Sequence, residues 1–100
     1  MPEVRFQVRW PDASVCEYYS PSTSIHDHLR AGEEYTVAEF VERSRSALHR
    51  AAERVRAKFG FYCSSAMDTL QQIEATATAY ADQPSATVKV LALRPRPGDG

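Results

Sequence analysis

The stretch TVAEFVERSRSALHRAAERVRAKFG, from Thr36 to Gly60, leaves a chain of 100 residues few ways to fold. Val37, Phe40, Val41, Leu48, Ala51, Val55 and Phe59 recur at helical spacing and form one apolar stripe. Both ends carry boundary signals. TVAE has the form of a capping box, in which Thr36 bonds the amide of Glu39 and Glu39 reaches back. Tyr35 can staple onto Phe40, and a cap of this kind contributes about 1 kcal/mol. Gly60 suits the left-handed residue just past a helix end. The predicted helix covers 37–59 and is about 34 Å long. A rod of that length is expected to cover a small sheet and overhang it.

A second helix starts near Ser64 or Ser65 and places Ala66, Leu70, Ile73, Ala77, Tyr80 and Ala81 on one face. The short link FGFYC makes the two helices antiparallel neighbours. Upstream, Val4, Phe6, Val8 and Trp10 alternate with Glu3, Arg5, Gln7 and Arg9, the pattern of a half-buried strand. Pro11, Asp12 and Ala13 supply a turn into a second strand at about 14–19, which completes a hairpin. TVKVLAL, from Thr87 to Leu93, reads as a third strand that pairs with the first or the second. The expected class is α+β: a three-stranded, mostly antiparallel sheet with both helices on one face, in the order β-β-α-α-β. A short helical turn follows the second strand. Residues 1–94 are expected to form one domain, and RPRPGDG to trail as a flexible tail over 95–100. The uncovered sheet face and the overhang of the long helix suggest a homodimer.

Composition narrows the function classes. A net charge of −1 and a pI near 6.3 argue against a dedicated DNA-binding module. No apolar run approaches membrane-spanning length and no export signal opens the chain, so a cytoplasmic protein is expected, with no membrane partner. Two cysteines, Cys16 and Cys63, make no disulfide framework and are expected as free thiols.

The run CEYYSPSTSIHDHL concentrates potential ligands. His26 and His28 share a face in a strand but not in a helix. Ser24 as a cap, with Ile25 and Leu29 at i and i+4, favours the helix. With no second Cys or His cluster, no metal or cofactor is expected. YSPST reads as a turn closed by hydroxyl groups, and no GxSxG elbow supports a serine hydrolase.

Arg56 falls within the long helix's apolar stripe, where an unpaired guanidinium would cost several kcal/mol. It must pair with a carboxylate such as Glu17 or Asp68, snorkel past the sheet, or hold an anion. Cys63, Ser64 and Ser65 open the second helix, whose free amides suit an anion and lower a thiol pKa. Arg56, Cys63, Ser64 and Ser65 therefore make the most coherent candidate ligand-binding group, against the plainer reading of a buried thiol and capping serines. No catalytic residue can be assigned. Arg43, Arg50 and Arg54 share a flank of the helix, interleaved with Glu39, Glu42 and Glu53, as a solvated salt-bridged face does. The same flank is the only candidate for nucleic acid, and it lacks aromatic platforms.

VRWPD, YSPST, SRSALHRAAERVRAKFGFYCSSA and QQIEA together resemble the small bacterial nitrogen-starvation response proteins encoded beside a nitrilase. The likeness spans about Pro2 to Leu93. Ala13 stands where that family leads one to expect glycine, and Phe59 where tyrosine is common. The resemblance implies a role in nitrile or cyanide nitrogen assimilation, with enzymes of the nitrilase cluster as candidate partners, and it transfers no catalytic residues. The reading that follows is a non-enzymatic accessory or regulatory protein. The alternatives are a small enzyme or ligand carrier for an anionic or nitrile-derived metabolite at the turn between the helices, or a nucleic-acid binder.

Overall fold

A computed structural model describes residues 3–60, 64–83 and 85–94, with Phe59 described by its backbone alone. The elements are β1 (Val4–Arg9), β2 (Val15–Ser20), a 3₁₀ turn (Thr23–Asp27), β3 (Glu34–Thr36), α1 (Val37–Phe59), α2 (Ser64–Thr78) and β4 (Thr87–Arg94). The class is α+β as expected, but the sheet has four antiparallel strands in the order β2-β1-β4-β3. The expected third strand is β4, and it pairs with β1, which is central. The added strand β3 holds only three residues, too few to show a period of two. It is placed by its neighbours: Gly32 N–H donates to the Val90 carbonyl at 2.7 Å, and Val90 N–H to that of Glu33 at 2.9 Å. The tail at 95–100 and Cys63 lie outside the described residues.

Local chemistry sets the helix ends. Thr36 Oγ1 accepts from the Glu39 amide at 3.1 Å, and Gly60 caps the far end at φ 78°. Glu39's carboxylate is engaged by Arg43 at 2.8 Å. The start of α1 and the end of α2 lie side by side, since Val37, Val41, Ala77 and Tyr80 border one groove, so the helices are antiparallel.

Val4, Phe6 and Val8 of β1 and Val88 and Val90 of β4 point to the helices and are fully buried. They join Phe40, Ala47, Leu48, Ala51, Leu70 and Ile73 in one core. Strand β4 keeps its alternation only to Val90. A bulge opposite Gln7 and Val8 takes up Leu91, and the register resumes with Leu93 facing Phe6 in the core. Trp10 closes one end of the core: it stacks on Tyr80 at 5.8 Å, meets Phe40 edge-on at 5.5 Å, and donates Nε1–H to the Tyr18 hydroxyl at 3.1 Å. Burial pushes the Tyr18 hydroxyl up to about 12. The hairpin turns through Ala13 at φ 71°, a conformation that favours glycine.

Candidate functional site

Arg56, which the sequence places within the stripe as a group that must pair, snorkel or hold an anion, is exposed. The buried positions of α1 are Val37, Phe40, Ser44, Ala47, Leu48, Ala51, Ala52 and Val55. Arg56 is one turn beyond Ala52, so it lies about 40° outside that arc. Its proposed partner Glu17 pairs instead with Arg5 at 3.5 Å, across two strands. Asp68 and Ser64 are exposed, and Ser65 is half-buried and already engaged. Cys16, the thiol that is described, is free and half-buried. Of the described members of the group, Arg56 and Ser64 are thus at the surface and Ser65 is half-buried.

The opposite flank of α1 is exposed at Glu39, Glu42, Arg50, Glu53 and Arg54 and salt-bridged at Glu39–Arg43, as its charges suggested, but Arg43 is half-buried. The segment 22–28 lies along it. Ser24 Oγ donates to the Ala47 carbonyl at 3.0 Å, Arg54 Nη1 to Ser22 Oγ at 3.3 Å, and Arg43 Nη1 to the His28 carbonyl at 2.9 Å. Ile25 and Leu29 are fully buried and anchor the segment, as their spacing predicted. The cap is Ser22 rather than Ser24: its side chain accepts from the Ser24 amide, which frees the Ser24 hydroxyl to reach α1. Ser20 in turn donates to the Ser22 carbonyl at 2.8 Å, so the run YSPST is the closed turn its hydroxyls implied.

Neither histidine is a free surface group. Both are half-buried; His26 Nε2 is enclosed without a hydrogen-bond partner among the described residues. His28 Nδ1 lies 3.1 Å from the Ser24 carbonyl, which makes that nitrogen the protonated one. Nε2 is then the acceptor of the neutral ring. No trio of His, Cys, Asp or Glu among the described residues converges as a metal site.

This packing builds a cleft of about 410 Å³ between the 3₁₀ turn, β3 and the first turns of α1. His28, Tyr35 and Arg43 are its half-buried floor; Asp27, Arg30 and Glu33 are its exposed rim. Arg43 is held from three sides. Nε and Nη2 reach Glu39 Oε1 at 2.9 and 2.8 Å, Nη1 donates to His28, and the guanidinium lies 4.9 Å from the centre of the Tyr35 ring. The Tyr35 hydroxyl accepts from the Arg30 amide at 3.1 Å, so its own proton remains to be given. Sequence reasoning reached the Arg43–Glu39 pair through its i,i+4 spacing. It missed the cleft because the contacts that orient Arg43 come from the backbone of His28 and the ring of Tyr35, which only the tertiary fold brings there.

The second exposed feature is the sheet face away from the helices. Cross-strand register sets Arg9 directly opposite Lys89 and Arg5 opposite Arg94. Like charges in opposed positions destabilise a sheet. Glu17 relieves Arg5, whereas Arg9, Lys89 and Arg94 have no ion-pair partner among the described residues. Arg9 and Lys89 also border a recess of about 420 Å³ with Trp10, Pro11, Glu34 and Thr87.

Among the described residues no helix is long and apolar enough to cross a membrane. A family model described as "Nitrogen starvation-induced protein NitG" matches residues 5–93. No curated protein and no solved structure matches the chain.

Proposed function

Because the chain belongs to the NitG family of nitrogen starvation-induced proteins, we propose that it serves the nitrogen-starvation response as a non-enzymatic accessory or regulatory protein. It acts by contact with a partner protein. The observation that supports this reading is the open sheet face, where Arg9 lies directly opposite Lys89 beside a recess and has no ion-pair partner among the described residues, while Glu34 stands across from Lys89 on the other side. A face that costs stability in isolation gains most from an acidic partner. The acids Glu17 and Glu34 flank the cationic band on the outer strands, which fits a narrow acidic segment of a protein better than the broad phosphate lattice of a duplex. A second copy of the chain, the expected homodimer, would bring cations against cations on a central two-fold axis, so a dimer through this face must be offset toward Glu17 and Glu34.

On the resemblance described above, we take the partner to be an enzyme of nitrile or cyanide nitrogen assimilation, the nitrilase first. The test is a tagged pull-down from nitrogen-starved cells, comparing the wild type with an Arg9→Glu, Lys89→Glu double variant. The expected result is nitrilase recovered with the wild type and lost with the variant. Equal recovery with both, or recovery of nucleic acid in place of protein, would overturn the reading.

A further inference from the structure

We propose that the cleft between the 3₁₀ turn, β3 and α1 binds a small zwitterion of the α-amino acid class. Its volume of about 410 Å³ admits a molecule of that size. Its floor offers fixed groups of both polarities. Arg43 uses one N–H from each of its three nitrogens on Glu39 and His28, which leaves one N–H on each terminal nitrogen for a carboxylate. Glu39, His28 and the Tyr35 ring already fix the plane of the guanidinium, so little side-chain entropy is lost when a ligand arrives. The Tyr35 hydroxyl accepts one hydrogen bond and donates the next. His28, with Nδ1 committed to the Ser24 carbonyl, offers Nε2 as an acceptor.

The rim decides the charge type. Glu39 neutralises Arg43, so the charges left at the cleft are Arg30, Asp27 and Glu33, and none of these has an ion-pair partner among the described residues. A simple carboxylate would meet two unrelieved acids, and a simple amine would meet Arg30 and the donors of Arg43. A molecule that carries an ammonium group and a carboxylate satisfies both sets. The site is distinct from the sheet face through which the protein is proposed to meet its partner, so either assignment can fail alone.

The test is an NMR titration of the full chain with L-glutamine, with acetate and methylammonium as single-charge controls. L-glutamine is expected to give saturable shifts at Tyr35, His28 and the Arg43 side chain, with acetate and methylammonium at least tenfold weaker. Arg30→Gln and Glu33→Gln remove rim charges that hold nothing in the fold. Each should weaken L-glutamine binding about tenfold or more, equivalent to one lost charge-assisted contact of about 1.4 kcal/mol. Arg56→Gln should leave it unchanged. Acetate binding as tightly as L-glutamine, affinity indifferent to Arg30 and Glu33, or no shifts at the cleft with any of the three would each overturn the proposal.

Discussion

Arg43 and Arg56 sit on the same helix, each one turn from the nearest buried alanine and each about 40° outside the buried arc, at opposite edges. By helical geometry they are equivalent. Arg43 is gripped by a carboxylate, a carbonyl and an aromatic ring, and it floors a cleft. Arg56 stands in solvent. The difference arises from what the chain lays beside each edge. The segment 22–28 and β3 run along the Arg43 edge, pinned by Ile25, Leu29 and the Ser24–Ala47 bond. An arginine near an apolar stripe becomes a positioned group only where a second element closes over it.

The largest expected effect comes from removing the pin. Ile25→Ala should cost about 2–5 kcal/mol in urea unfolding, since Ile25 is fully buried. It should also abolish the distinct environment of Arg43. If Arg43 kept its contacts in a folded Ile25→Ala protein, the segment would not be what positions it.

Arg43→Ala should follow at about 1–3 kcal/mol, through loss of the charge-assisted bonds to Glu39 and His28. The comparison substitution Arg56→Ala should stay within about 0.5 kcal/mol, as surface changes do. Equal losses for the two would erase the distinction between the edges.

Between these lie two of the left-handed residues, Gly60 and Ala13. Gly60→Ala should cost about 1 kcal/mol at the Arg56 end. An added Cβ there meets nothing within 4 Å, so the penalty is conformational alone. Ala13→Gly should return a similar amount, near 1 kcal/mol, because Ala13 already holds φ 71°. Thermal denaturation of both variants checks the pair, and opposite signs are the expected outcome.

What could be read from the sequence was what depends on neighbours along the chain. Both ends of α1, the hairpin, the Ile25–Leu29 anchor and the turn at YSPST all follow from spacing within a few residues. The glycine expected at Ala13 found its physical reason in the positive φ there. Strand β3 could not be read because three residues carry no period, and its identity rests on its pairing with Thr87, Val88 and Lys89 of β4. The bulge at Leu91 hid in the same way, since only the partner strand shows that Leu93 and not Ala92 enters the core. Arg56 was placed inside the stripe because a count along the helix cannot tell the centre of an apolar stripe from its rim. The cleft was overlooked because its floor is drawn from 3₁₀ turn, strand and helix, and the charges that build it look solvated when read on the helix alone.

The central claim is that Arg43, and not Arg56, is the positioned cation of α1. The arginine Nε–H signals report this most directly. The account predicts a resolved, slowly exchanging Nε–H for Arg43 that is lost in Glu39→Gln, and an averaged, fast-exchanging signal for Arg56. Equally fast exchange at both arginines would contradict it.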